Sequence, residues 1–411
     1  MKYVFLMVIV VVSQLAFAQQ EQPTFGISFS GFVKTDVFYD SRQTVSLREG
    51  HLLLFPQPEN ADKNGSDINA KASVNMLSIQ TRLLGKITGP DAFGAKTSGI
   101  IEGEFFGHSE SDVNGFRLRH SYVKLDWTAS SLLVGQTWHP MFVAEMYPGT
   151  VSFNTGAPFQ PFSRNPQVRF SYKLDSFKWI AAAMAQRDFT SDGPAGLSGT
   201  YLRNAVVPNL HLQIQYASGD VLLGAGVDYK QLKPRLYTSK TSSSPKHATN
   251  ETVKGLAGIG YAKWKMDPVV VKTEVVVGSD LSDHLMIGGY AVQSVDTTTG
   301  KETYTPLSVL SAWTDVSTGT DLEWGLFAGY TRNMGAESNI KGVYYGRGST
   351  IAQAFRVSPR VVWNSGKTRL AGEVEYTRAD YGTPANDKNG EVENSKAVSN
   401  MRLLLAVYYF F

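Results

Sequence analysis

Apolar and polar residues alternate along much of this chain. At the carboxyl end, every second residue from Met401 to Phe411 is apolar. The segments Gln167–Leu174 and Asn209–Tyr216 repeat the pattern, with polar residues between the apolar ones. Because successive side chains of a β-strand point to opposite faces, this alternation predicts strands with one apolar and one polar face.

Extending the pattern along the chain predicts about sixteen strands. Turn-forming pairs such as Asp175-Ser176 and Ser365-Gly366 join some neighbours, and long polar segments join the others. Two segments fit less well, because Gly89–Thr97 is long for a turn and Leu285–Val292 is strand-like within a loop. Either segment would change the strand count by two. The predicted strands are approximately Ile27–Tyr39, Ala70–Ile87, Ser98–Gly107, Phe116–Asp126, Ser131–Trp138, Pro166–Leu174, Phe177–Gln186, Pro208–Ala217, Asp220–Leu232, Val253–Lys265, Pro268–Gly278, Thr303–Asp315, Asp321–Arg332, Ile351–Asn364, Lys367–Arg378 and Ser399–Phe411.

Composition indicates where such a sheet would lie. Beyond the amino-terminal segment, no continuous apolar stretch approaches the length of a membrane-spanning helix. Charged residues make up 18% of the chain, which is few for a soluble protein, and aromatic residues make up 12%. A soluble β-sandwich would also alternate, but its polar face would carry more charge. Since a closed sheet pairs all of its backbone amides in lipid, the sequence predicts an all-β fold, a transmembrane antiparallel β-barrel.

The first residues predict export. Met1 and Lys2 precede an apolar run, and the small-residue triplet Ala16-Phe17-Ala18 follows it. This order is typical of a secretory signal peptide, so we expect residues 1–18 to be removed and residues 19–411 to form the barrel. The run is too short for a membrane-spanning helix. The chain has 0 cysteines, which excludes disulfides and cysteine-based chemistry.

Aromatic residues recur near the predicted strand ends, where a membrane barrel carries aromatic girdles. General β-propensity would also favour them there. They are Trp127, Trp138, Trp179, Tyr216, Tyr229, Trp264, Trp324, Tyr330, Trp363 and Tyr376. The final strand ends in Phe411 and resembles the signal that the outer-membrane assembly machinery reads. This resemblance implies contact with outer-membrane lipid in a Gram-negative-type cell.

The connection His139–Asn165 is unusually apolar and aromatic for a loop in water. It is the third external loop by count, and it resembles the third loop of trimeric porins, which folds into the barrel and constricts it. The resemblance implies an inward-folded third loop and a homotrimer. The candidate constriction residues are His139, Glu145, Tyr147, Phe159 and Arg164.

A narrower resemblance lies just before and within that connection. The segments Leu118–Val123 and Gly135–Pro140 resemble the DcaP-like trimeric porins. They cover about a tenth of the chain, although the overall plan fits its whole length. The chain departs from that family because we expect no amino-terminal helical extension. The resemblance implies that small organic anions such as dicarboxylates are the preferred solutes.

The polar face of each strand identifies candidate pore-lining residues. They are Arg82, Arg119, Arg169, Arg356, Arg360, Arg369, Arg402, Glu102 and Glu104. Much of the basic set falls on strands near the two termini, which are neighbours in a closed barrel. A one-sided basic wall would orient and select solutes. Alternatively, arginines and glutamates pair and only rigidify the wall. The sequence favours neither interpretation.

Enzymatic and cofactor signatures are absent from the sequence. It contains no Gly-x-Ser-x-Gly elbow, no His-Glu-x-x-His motif and no phosphate-binding glycine loop. The run Asp62–Asp67 departs from the spacing of a calcium loop and is interpreted as a solvated loop. A net charge of +3 gives no reason to expect nucleic acid. We therefore expect no enzyme, no cofactor and no metal.

Two classes of function remain open. The first is an outer-membrane porin through which small hydrophilic solutes diffuse passively. The second is a surface interaction protein, an adhesin or envelope-complex subunit, with a plugged lumen. Barrel width favours the channel, since about sixteen strands enclose more space than their own side chains fill.

Overall fold

The computed structural model describes residues 25–411, and the predicted signal peptide lies outside them. Sixteen antiparallel strands form one closed barrel, which confirms the predicted count. They are β1 (Gly26–Asp40), β2 (Ser73–Leu77 and Arg82–Thr88), β3 (Lys96–Glu104), β4 (Arg117–Asp126), β5 (Ser130–Trp138), β6 (Arg164–Leu174), β7 (Phe177–Met184), β8 (Asn209–Ser218), β9 (Val221–Leu232), β10 (Val253–Met266), β11 (Val269–Ser279), β12 (Glu302–Thr318), β13 (Leu322–Ala336), β14 (Ile351–Ser365), β15 (Thr368–Ala385) and β16 (Glu391–Phe410).

Closure comes from pairing between the first and last strands. In β1 and β16, Phe32 stands opposite Phe410 and Asp40 stands opposite Arg402. On its other edge β1 pairs with both parts of β2, so the break at residues 78–81 does not open the sheet. Every barrel strand therefore has two neighbours, as a strand in lipid requires.

The predicted two faces of the strands are confirmed. Leu405 and Val168, from the alternating apolar rows, expose 67% and 50% of their surface. Gln167 and Gln213, on the opposite faces, are buried. One proposed girdle residue is wrong. Trp138 faces inward, with its ring stacked on Phe142 at a centroid distance of 3.8 Å.

The loops differ from the prediction in two places. Pairing of β15 with β16 continues to Ala385 and Glu391, so most of the predicted loop Asp380–Val398 is strand. The strand-like segment within the sixth long loop is a strand, Gly288–Val295, which pairs with β12 and with Tyr344–Arg347. This strand extends the sheet at the long-loop end and leaves the barrel count unchanged.

Smaller elements lie in the loops at the long-loop end of the barrel. A short hairpin, Thr44–Leu47 with Leu52–Pro56, lies in the first loop. A second, Tyr237–Thr238 with His247–Ala248, lies in the fifth. One short α-helix spans Thr200–Ala205. Within residues 25–411, no helix has the length and apolar character to cross a membrane.

Candidate functional site: the barrel interior

The third long loop, residues 139–163, is fixed to the inward faces of strands on several sides. The amide of Ser152 donates to Glu373 on β15 at 3.3 Å. Lys34 on β1 donates to the carbonyl of Val151 at 2.9 Å. Ser311 on β12 donates to the carbonyl of Phe159 at 3.0 Å. These contacts anchor the loop to β1, β12 and β15.

Phe159 is the apolar anchor of this loop. The side chain is fully buried, and the guanidinium of Arg356 lies 5.4 Å from its ring centre. Gly329 on β13 leaves the room that the ring needs, because a Cβ atom there would come within 2.6 Å of the Phe159 Cγ. Any larger residue at position 329 would displace the ring.

The hairpin of the first loop packs against the third loop. This hairpin was not predicted from the sequence, although Leu52-Leu53-Leu54-Phe55 is too apolar for a solvated loop. These four residues are 0–1% exposed, and Leu52, Leu54 and Phe55 share an apolar cluster with Phe153. Arg356 donates to the carbonyl of Leu54 at 3.0 Å, and Arg402 donates to that of Gly50 at 2.8 Å. Two wall arginines therefore hold the hairpin inside.

One carboxylate organises a cluster of arginines. Glu104 on β3 is fully buried and accepts from Arg82 at 3.1 Å, from Arg117 at 2.7 Å and from Arg119 at 2.6 Å. A fourth guanidinium, that of Arg164, lies 3.8 Å from it. Three of these five residues were predicted to line the pore and Arg164 to belong to the constriction loop. Arg117 was not singled out.

Asp188, from the fourth long loop, completes this cluster and was also missed. It accepts from Arg164 at 2.8 Å and lies 3.2 Å from Arg117. Burial opposes its ionisation, but the two guanidinium groups outweigh burial and hold the pKa of Asp188 below its ordinary value. Asp188 therefore ties its loop to the wall as a charged group.

Three other predicted pore arginines are also paired. Arg360 binds Asp315 through two contacts of 2.6 and 3.1 Å. Arg402 binds Asp40 through contacts of 2.9 and 2.6 Å. Arg356 lies 3.3 Å from Glu375. These three arginines serve the wall and the loop contacts.

Arg369 and Arg169 differ from the rest, since neither has a carboxylate oxygen within ion-pair distance in the described part of the chain. Arg369 donates to Asn364 at 2.8 Å and lies 5.3 Å from the ring centre of Phe410. Arg169 donates to Gln167 at 2.8 Å. Their charges are the least compensated of the predicted arginines.

A cavity of about 440 Å³ lies between the third loop and the wall. Arg82, Arg119 and Arg369 contribute its positive charges, and Glu102 and Glu323 its negative charges. Aromatic rings and the backbone of the third loop form most of the remaining lining, namely Phe32, Trp138, Phe142, Tyr147, Gly149, Thr150, Phe162, Tyr408 and Phe410. This arrangement can hold a small polar solute against both charged and aromatic groups.

The other predicted loop residues lie in different surroundings. Tyr147 lines the cavity and stacks with Phe142 at 5.7 Å. Glu145 is exposed and lies 3.3 Å from Lys178. His139 is fully buried in a separate cluster.

Comparison with known proteins shows the class of fold. The closed barrel is that of outer-membrane porins and channels. The outer membrane channel DcaP of Acinetobacter baumannii superimposes with a TM-score of 0.67 and 16% identity, over 96% of this chain and 99% of that one. The trimer form of OmpT from Vibrio cholerae superimposes with a TM-score of 0.55 and 10% identity, over 94% of this chain and 100% of that one. The anion-selective porin from Comamonas acidovorans superimposes with a TM-score of 0.54 and 12% identity, over 94% of this chain and 100% of that one. No family model and no curated protein sequence matches the chain.

Proposed function

We propose that this protein is an outer-membrane channel through which small hydrophilic solutes diffuse passively, and that it has no catalytic role. The cavity beside the third loop carries this proposal, because it places charged and polar groups inside a closed barrel. The apolar outer faces suit membrane lipid. The trimer form of the similar OmpT supports a homotrimer.

The third loop would set the width of the channel. Its contacts with Lys34, Glu373 and Ser311 hold it against inward-facing side chains, and the cavity lies beside residues 147–155. We propose that the loop folds into the lumen and forms the constriction. A constriction of this kind selects solutes by size and by the charges that face it.

We further propose a preference for small organic anions such as dicarboxylates. The cavity has three arginines against two glutamates. Glu102 is engaged by Arg119 at 3.2 Å and His120 at 3.3 Å, while Arg369 has no such carboxylate partner in the described chain. The anion-selective porin among the similar structures supports the same preference.

Replacing Arg369 with alanine should lower the preference for anions, because it removes a cavity charge that has no ion-pair partner in the described part of the chain. Arg169→Ala should act in the same direction, and the double variant should act more strongly. Reversal potential in a planar bilayer under a salt gradient measures the effect. Arg332→Ala is the matched control, since that side chain is exposed on β13. Unchanged potentials in the double variant would refute the proposed role of these arginines.

The first-loop hairpin supports a second candidate function. Leu52–Phe55 fill part of the interior together with Phe153. If the two loops fill the whole cross-section of the barrel lumen, the protein would be a plugged barrel whose long loops contact partners. Verified insertion without conductance would favour this alternative.

A further inference from the structure

We infer that His139, Asp228 and His284 form a binding site for a divalent transition-metal ion of the zinc class. His139 begins the third loop, Asp228 lies on β9 and His284 lies on the sixth long loop. One potential ligand atom from each residue lies within 4.8 Å of the other two. The three side chains are at most 5% exposed.

The spacing of the donor atoms fits tetrahedral coordination. The Nε2 atom of His139 lies 3.3 Å from Oδ1 of Asp228. Metal–ligand bonds of 2.0–2.1 Å at tetrahedral angles separate two donors by about 3.3 Å. The donor atom of His284 lies within 4.8 Å of the other two, so its imidazole would complete the set after moving inward by roughly 1.5 Å, given the same bond lengths.

His284 supplies an independent observation that points to a ligand. Its Nδ1 atom is buried and has no hydrogen-bond partner among residues 25–411. Its ring lies edge-on to that of His139, at a centroid distance of 4.6 Å.

Charges around the site also favour a cation. Asp283 directly precedes His284 in the chain, and Lys230 lies 2.5 Å from Asp283 and 3.4 Å from Asp280, so with Asp228 three carboxylates surround one ammonium group in this region. His211 donates through Nδ1 to Oδ1 of Asp228 at 3.2 Å and would orient the carboxylate. Two imidazoles and one carboxylate form a ligand set that zinc, copper and nickel accept.

Binding would reorganise the start of the third loop. The Nδ1 atom of His139 accepts from the amide of Met141 at 3.2 Å, and Nε2 lies 3.0 Å from Oδ1 of Asn209. Coordination through Nε2 moves the ring proton to Nδ1, so both contacts must be given up. The metal would therefore couple the third loop to the sixth. This consequence rests on the proposed function, whereas metal binding itself does not.

The test is a calorimetric titration of Zn²⁺ into the refolded, tag-free mature chain, after a chelator has removed any bound metal. We expect one equivalent to bind, and His284→Ala and Asp228→Asn to weaken binding by roughly tenfold or more. His247→Ala is the matched control, because that histidine is exposed in the fifth-loop hairpin, and it should bind as the wild type does.

Co²⁺ gives a readout that needs no variant. The wild-type chain should show the intense visible absorption of a four-coordinate Co²⁺ site, and Zn²⁺ should displace it. Absence of stoichiometric binding, or equal affinity in folded His284→Ala, would overturn the inference. Because neither measurement depends on conductance, a protein that binds Zn²⁺ but does not conduct would refute only the proposed channel.

Discussion

Glu104→Gln should destabilise the barrel by about 3–5 kcal/mol, the usual cost of removing one partner from a buried ion pair. The carboxylate lies within hydrogen-bond distance of Arg82, Arg117 and Arg119, and near Arg164. Without it, four guanidinium groups share Glu102 and Asp188. Urea-induced unfolding from lipid vesicles, followed by tryptophan fluorescence, measures the loss.

Glu323→Gln is the matched control for this prediction. Glu323 contacts one arginine, Arg360, at 3.2 Å and keeps 31% of its side chain exposed. Its replacement should cost about 1 kcal/mol or less, as for exposed ion pairs. Equal losses for the two variants would show that the arginine cluster does not depend on Glu104.

Replacing residues 141–162 with a short glycine-serine linker should raise single-channel conductance roughly twofold or more, because it removes the proposed constriction. A short linker can span the gap because the two ends of the loop are adjacent: the amide of His139 donates to the carbonyl of Ser163 at 2.9 Å. Shortening residues 239–246 is the control. That segment joins Thr238 to His247, which already pair, and it lies in the fifth-loop hairpin. We expect the control to conduct as the wild type does.

A cysteine variant tests the same loop without a deletion. The chain has 0 cysteines, so Thr150→Cys would carry the sole thiol. Thr150 lines the cavity, and modification of the cysteine with a charged methanethiosulfonate reagent, which leaves its charged thioalkyl group on the sulfur, should reduce conductance. If modification and loop replacement both leave conductance unchanged, the third loop does not constrict the channel.

The barrel was predictable from the sequence because lipid imposes a simple pattern. Each strand must place apolar residues outward at every second position, as Met401–Phe411 do, and this alternation identified all sixteen strands. Boundaries at the long-loop end were less predictable. At this end β15 reads Tyr-Gly-Thr-Pro-Ala over residues 381–385 and β16 reads Glu-Val-Glu-Asn-Ser over residues 391–395, so the pairing of Ala385 with Glu391 leaves no regular apolar period in the sequence.

The interior was only partly predictable. Alternation identified the inward arginines, but it carries no information about which carboxylate each one meets. Arg402 and Asp40 are 362 residues apart in the sequence and meet only because the first and last strands pair when the barrel closes. The first-loop hairpin was missed because a loop has no period to indicate where it packs. Its apolar run, Leu52–Phe55, was the available signal.

Single-channel recording of the refolded mature chain in a planar bilayer under a salt gradient tests the central claim most directly. We predict stepwise conductance from a water-filled pore, with a reversal potential whose sign shows that anions are preferred. A silent bilayer, despite insertion verified by protection from protease, would contradict the channel and favour the plugged barrel.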